Sequence, residues 1–209
     1  MKNPTKLGMI LTECLTSIAI LTVCIVVLSG VITSSASSTA MSKDYVIAQN
    51  LANEATNVVK IIRNSNWMIR PEKKADCWLV KDPNIIIVPT NPCTNNTVLA
   101  GPSDFYIPVF TPLTGAWSLL KATTSDDLDL TNSLINSTNS KYILKLTGPG
   151  IGTKMYIQNS ATGTDTTFYR RIKFTSITDE LANFEVKVEW KDGAKVRKFL
   201  LTDSITNSL

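Results

Sequence analysis

A long uncharged apolar run near the amino terminus constrains this chain more than any other feature. From Cys14 to Ile32 there are 19 residues without a charge, and the next charged residue is Lys43. About 20 apolar residues in a helix, at a rise of 1.5 Å each, span the hydrocarbon core of a bilayer. The run therefore predicts a membrane helix, and the remainder of the 209-residue chain suffices for one further globular domain.

Charged residues stand on the amino-terminal side of this run. Lys2 and Lys6 form a short basic head, which predicts that the amino terminus stays in the cytoplasm and the bulk of the chain lies outside. Glu13 lies at the edge of the run, where a carboxylate costs somewhat less than the roughly 2.5 to 3.5 kcal/mol of the bilayer centre. A simple anchor does not need this residue. The alternative is that Glu13 is interfacial and reaches water.

The pattern Lys6-Leu7-Gly8, followed by Met9 to Glu13 and the apolar run, resembles the class III signal of type IV pilins and pseudopilins. The resemblance implies that a prepilin peptidase cuts between Gly8 and Met9 and that the new amine of Met9 is methylated. The family usually has Phe where this chain has Met9. Further partners implied are other pilin subunits, an inner-membrane assembly platform, and the lipid bilayer before assembly.

The energetics of charge in lipid agree with this resemblance. The amine of a trimmed Met9 and the carboxylate of Glu13 are both costly in lipid, and each becomes tolerable when it meets the opposite charge on a neighbouring subunit. The same ion pair would set the axial register between subunits. We therefore expect Glu13 and Met9 to form the assembly ion pair.

Composition argues against catalysis and against nucleic acid as the main partner. Removing Lys2 and Lys6 from the net charge of +4 leaves +2, which is a weak basis for binding nucleic acid. Histidine is absent, so the commonest general base and metal ligand is missing. The sequence predicts no enzyme, no cofactor and no metal site.

The four cysteines fall into two pairs. Cys14 and Cys24 lie in the apolar run, where we expect them to pack as small apolar side chains. Cys77 and Cys93 are 16 residues apart in the exported part, so an oxidising compartment favours a disulfide between them. The alternative is two unlinked thiols.

An apolar stripe continues the helix beyond the membrane segment. Its members, spaced four, four, three and four residues apart, are Ile47, Leu51, Ala55, Val58 and Ile62. This spacing predicts one buried face of a helix that ends at Asn64-Ser65-Asn66. We expect a leader at residues 1–8, a membrane and assembly helix at 9–32, an amphipathic continuation at 33–64 and an exported domain at 65–209.

The exported domain has the pattern of β-strands and turns. Short β-branched or aromatic runs at Ile85–Val88, Tyr106–Phe110, Tyr142–Leu146, Met155–Ile157, Phe168–Phe174 and Val196–Leu201 predict strands. Between Phe184 and Trp190 apolar residues alternate with charged ones, which predicts one buried and one solvated face. The turn at Asp192-Gly193 joins two of these strands. The predicted fold is α+β, with a long amino-terminal helix packed on an antiparallel sheet.

Two motifs invite a binding function that the sequence does not favour. Residues 148–154 are rich in glycine but precede a strand-like segment, whereas a phosphate-binding loop leads into a helix, so we interpret them as a turn. Asp126, Asp127 and Asp129 lack the spacing of a calcium-binding EF-hand, and we expect residues 121–140 to form a surface loop with a short helix whose first turn they occupy.

Two surface features also allow a binding or modification function that the sequence does not favour. The basic residues Arg170, Arg171, Lys173, Lys195, Arg197 and Lys198 allow a DNA-binding patch, but solvated strand faces explain them more simply. Nucleic acid is therefore a possible partner without support. Asn95 and Asn136 lie in glycosylation sequons, a weak pattern in a chain so rich in Asn and Thr.

Together these observations favour a structural subunit of a type IV pilus or related filament, with a minor subunit preferred. The subunit would start in the cytoplasmic membrane and then enter an extracellular or periplasmic filament. The first alternative is a pseudopilin of a type II secretion system. An alternative of another class is a single-pass anchored adhesin or receptor that never polymerises.

Overall fold

We describe a computed structural model of the protein. It describes residues 4–83, 93, 99, 104–111, 115–122, 127–131, 142–146, 155–159 and 163–208, with side chains from Leu11 onward. The chain forms two compact units, Met1–Asp44 and Tyr45–Leu209. The first helix, α1 (Pro4–Ile69), contributes to both units.

Among the described residues, the second unit contains an antiparallel sheet of seven strands. They are β1 (Phe105–Thr111), β2 (Ala116–Lys121), β3 (Ile143–Leu146), β4 (Tyr156–Ile157), β5 (Thr164–Ile177), β6 (Leu181–Asp192) and β7 (Lys195–Thr206). Strand β5 is central, because β6 pairs along one edge while β1 and β3 share the other. Strand β2 pairs with β1, β4 pairs with β3, and β7 pairs with β6. This is the expected α+β fold.

The predicted stripe of α1 covers one face of the sheet. Leu51, Ala55, Val58 and Ile62 are at most 3% exposed, and Ile47 is partly buried. They pack in one core with the side chains of alternate residues of β5 and β6, among them Ile172 and Val186. Because a strand directs successive side chains to opposite faces, these alternate residues all lie toward the helix.

The helix continues past its predicted end. It ends at Ile69, so Trp67 is helical and buried at 8% exposure. Asn66, expected to stop the helix, instead donates from its amide nitrogen to the backbone carbonyls of Trp78 and Val80, at 3.0 and 2.9 Å. A distant backbone thus satisfies the side chain that would otherwise compete with the helix.

A short connection follows α1 and is closed by a disulfide. It comprises a 3₁₀ helix (Pro71–Lys73) and α2 (Lys74–Cys77). Cys77 and Cys93, the pair for which a disulfide was favoured over two thiols, are joined, with their Cα atoms 5.5 Å apart. Arg70 donates to the Oδ1 of Asn66 at 2.7 Å and to the carbonyl of Pro83 at 3.1 Å. This region therefore holds the end of α1 to the chain that follows it.

The other face of the sheet is also covered, contrary to expectation. A second apolar cluster comprises Phe105, Ile107, Ala122, Leu128 and Tyr142. Leu128 is fully buried, so the segment Asp127–Thr131 lies against the sheet instead of forming a free surface loop. Glu189, expected on a solvated face, is consequently only 4% exposed.

Most of the other predicted strands are present in the structure. The runs at Tyr106–Phe110, Tyr142–Leu146, Met155–Ile157, Phe168–Phe174, Phe184–Trp190 and Val196–Leu201 coincide with β1 and β3 to β7, within a few residues at the ends. The sequence patterns do not predict strand β2. The run at Ile85–Val88 lies outside the described residues. The turn after Asp192 is present, and Gly193 takes the left-handed φ of 60° that favours glycine.

Candidate functional site

The apolar part of α1 is exposed from Leu11 onward. It belongs to a helix long and apolar enough to cross a membrane, and none of its most apolar stretch is buried within the structure. The large side chains between Leu11 and Ile32 are 54 to 72% exposed. A cost of about 25 cal/mol for each Å² of apolar surface in water makes this exposure strongly unfavourable in solution. The segment needs lipid or other protein around it.

Hydroxyl groups within this segment are satisfied by the helix itself. Those of Thr16, Ser17, Thr22, Ser29 and Thr33 each donate to a carbonyl oxygen three or four residues earlier, at 2.5 to 3.0 Å. A polar group buried in hydrocarbon without a partner costs several kcal/mol by the water-to-alkane measure. These internal bonds remove that cost, so the polar side chains do not prevent the helix from entering lipid.

Glu13 is the one acidic or basic side chain between Leu11 and Ser42. It is exposed, and within the described part of the chain its carboxylate forms no ion pair. Its backbone carbonyl accepts the hydroxyl of Ser17 at 2.8 Å, a bond that leaves the carboxylate free. The site therefore presents a single negative charge on an apolar helix.

The residues of the expected cleavage site lie at the start of the same helix. Gly8 and Met9, with Lys6 before them, fall within α1, and their side chains are outside the described residues. Lys2 also lies outside. The pairing of Glu13 with the amine of Met9 and the cleavage after Gly8 stay predictions.

Arg170 is buried, so the interpretation of solvated strand faces, which the sequence favours over a DNA-binding patch, is wrong at this residue. Its side chain is 1% exposed and points to the helix side of the sheet. Nη1 donates to the carbonyl of Leu51 at 2.9 Å and lies 3.4 Å from the Oε1 of Glu54, while Nε donates to Gln158 at 3.0 Å. Burial lowers the pKa of the guanidinium, and the charge and hydrogen bond of Glu54 oppose that shift.

Arg171 is buried on the opposite face of the sheet. Its side chain is 3% exposed and forms ion pairs with Asp127 at 2.5 Å and Glu185 at 2.6 Å. Next to it, Lys187 lies 3.0 Å from Glu189. The sequence predicts solvated strand faces here, because it does not show that a distant segment, Asp127–Thr131, covers these charges. An arginine doublet in an alternating strand is itself a signal, since one of the two must face the core.

Two aspartates of the acidic motif bind other residues of the chain, and Asp126 lies outside the described residues. Asp127 pairs with Arg171, and the Oδ1 of Asp129 accepts from the backbone N–H of Thr131 at 2.9 Å. No group of three metal-ligating side chains occurs among the described residues. Residues 147–154 and the two sequons lie outside the described part. Most of residues 121–140, where the short helix is expected, also lies outside it. Residues 127–131 themselves are not helical.

Comparisons with protein-family models, with curated proteins and with solved structures found no match to this chain. The structure is an α+β protein with a long amino-terminal apolar helix that can span a membrane and a seven-stranded antiparallel sheet. This arrangement is compatible with a pilin-like protein.

Proposed function

We propose that this chain is a structural subunit of a type IV pilus or a related filament. It is held in the cytoplasmic membrane through α1, trimmed after Gly8 and assembled through its apolar helix. Its partners are other subunits of the filament, the prepilin peptidase and the assembly platform of the inner membrane.

The observation that carries this proposal is the isolated carboxylate of Glu13 on an exposed apolar helix. A permanent anchor gains nothing from a charge that costs free energy in lipid. In a subunit that leaves the bilayer, the carboxylate finds an opposite charge only when a neighbouring subunit is in place. This ion pair then sets the axial register between the two subunits. The amine released at Met9 supplies that charge in the same segment of an identical neighbour.

Substitution of Glu13 in cells that contain the assembly machinery tests the proposal. Glu13→Ala should insert into the membrane as the native chain does, but its incorporation into filaments should fall by about tenfold or more, since the neighbour's amine is left unpaired. Glu13→Asp, which keeps the charge, should retain partial incorporation. Ser17→Ala, one turn further along, is the matched control and should assemble normally.

The measurement is the ratio of filament-bound to membrane-bound chain, from sheared filaments and washed membranes. Normal filament entry by Glu13→Ala would count against the ion pair. A chain that never enters filaments in any variant, with the machinery present, would contradict the filament function as a whole and favour the anchored receptor.

A further inference from the structure

The outer side of α1 in the second unit carries an unusual surface. On the side opposite Leu51, Ala55 and Val58, a row of exposed residues follows spacings of four, three, four, four, three and four. We name this row the outer stripe; its members are Val46, Asn50, Asn53, Asn57, Ile61, Asn64 and Met68. Spacings of three and four residues are typical of a helix face that packs along another helix.

No member of the outer stripe is charged, although the helix does contain charged residues. Between Val46 and Met68 these lie beside the stripe, and each contacts the sheet domain. Glu54 lies 3.4 Å from Arg170, Lys60 lies 2.8 Å from Asp203, and Arg63 donates to the carbonyl of Thr206 at 2.9 Å. The usual amphipathic helix places its charges on the side facing water. This helix places them toward its own domain.

The composition of the outer stripe is unfavourable for a merely solvated helix. Asparagine is among the poorer helix formers, several tenths of a kcal/mol per residue below Ala, Lys, Glu or Gln. Four asparagines whose side chains form no hydrogen bond within the described part of the chain occupy the stripe, beside Ile61 at 46% and Met68 at 83% exposure. Depletion of charge together with exposed apolar residues is the composition found in the core of protein interfaces.

We propose that the outer stripe packs against the outer stripe of a second copy, forming a parallel helix pair in the membrane-anchored state before filament assembly. An asparagine side chain both donates and accepts, so identical stripes are complementary to each other. A stripe without charge offers nothing to a charged partner. Asparagine at the seam of two parallel helices also fixes their register. The inference rests on the membrane anchoring in the proposed function, because that anchoring makes the two copies run in the same direction.

Cysteine cross-linking of the full-length chain in membranes, without the assembly platform, tests this pairing. In a background of Cys14→Ser and Cys24→Ser, Asn57→Cys should give disulfide-linked dimers under mild oxidation. The matched control is Thr202→Cys, on an exposed residue of β7, which should give few. The native disulfide between Cys77 and Cys93 is present in both variants, so any exchange with it affects both equally.

A second experiment places a charge on the outer stripe. With the cross-linking cysteine at Asn50, adding Asn57→Lys should lower dimer yield by about tenfold, because two like charges meet across the pair. Asn57→Leu should retain or raise the yield. Thr202→Lys should leave it unchanged.

Each outcome separates this inference from the proposed function. Absence of dimers at Asn57→Cys and Asn50→Cys, in a chain that is inserted and still enters filaments when the platform is supplied, overturns the pairing and leaves the filament subunit standing. Cross-links to a different protein, identified by mass spectrometry, overturn the assignment to a second copy. Dimers insensitive to Asn57→Lys overturn the outer stripe as the contact.

Discussion

The Nη1 atom of Arg170 lies 2.9 Å from the backbone carbonyl oxygen of Leu51, and this hydrogen bond joins the central strand to the helix that covers it. The same guanidinium donates from Nε to Gln158, whose amide nitrogen donates to the carbonyls of Tyr142 and Arg170 at 2.8 and 2.7 Å. The largest fully buried side chain of the described structure is thus a cation with several partners. It fixes the position of α1 on the sheet.

Removing this guanidinium should destabilise the second unit. We expect Arg170→Ala to lower the free energy of unfolding by about 3 kcal/mol, because it leaves a cavity and strips Gln158 and Glu54 of their partner. Arg170→Met, which fills the space, should cost less. Tryptophan fluorescence during denaturation in detergent measures both, with Lys198→Ala on an exposed site as a control within about 0.5 kcal/mol. An equally small effect of Arg170→Ala would contradict the role given to this residue.

The segment Asp127–Thr131 should prove to be part of the fold. Leu128 is fully buried, so Leu128→Ala should cost about 2 to 5 kcal/mol, as for other buried leucines. Leu200→Ala is the matched control, because Leu200 is 51% exposed, and should cost little. The shift in denaturation midpoint gives the comparison. Equal effects of the two substitutions would show that the segment does not cover the sheet.

The disulfide should stabilise the second unit. In the chain-entropy treatment, a bond that closes a loop of 16 residues contributes about 3 kcal/mol, so Cys77→Ala with Cys93→Ala should lower stability by about that amount. Cys14→Ala should not, because Cys14 is a free thiol on the exposed helix. Denaturation with and without a reductant measures the difference. If the reductant leaves the stability of the native chain unchanged, the prediction is contradicted.

Asp203 should make stability depend on acid pH. Burial alone would raise the pKa of this carboxyl, but the hydrogen bonds from Lys60 and the N–H of Ser204, with the charge of Lys60, bring it below its usual value. An acid with a lowered pKa in the folded state stabilises above its unfolded pKa of about 3.9, and this contribution is lost as pH falls toward the folded pKa.

The native chain should accordingly lose stability below about pH 4 more steeply than Asp203→Asn. Both partners are partly exposed, so the difference should be no more than about 1 kcal/mol. Lys60→Met should raise the pKa of Asp203, which NMR titration of the carboxyl carbon can measure. A pKa unchanged by Lys60→Met would contradict the assigned cause.

The parts of the fold predicted correctly follow from local periodicity. Leu51, Ala55 and Val58 repeat with the period of a helix, and Val186 and Val188 with that of a strand, so each pattern indicates a buried face from a few consecutive residues. The glycine at position 193 similarly indicates a turn on its own. These features depend on neighbours along the chain.

The parts predicted wrongly depend on distant residues. Helix α1 passes Asn66 because the backbone of Trp78 and Val80 satisfies the amide. Arg171 and Glu189 alternate along their strands with residues of the helix-facing side, as solvated residues do. They are nevertheless buried, because Asp127–Thr131 covers them from another part of the chain. A pattern shows which residues share a face of a strand, but it does not show whether a second layer covers that face.

In the proposed function, this chain is trimmed and carried into a filament through α1. The most direct test is the mass of its amino-terminal peptide, from full-length chain produced together with a prepilin peptidase. We expect a mature chain that begins at methylated Met9. A chain that still begins at Met1, with the peptidase active on a known substrate in the same cells, would contradict it.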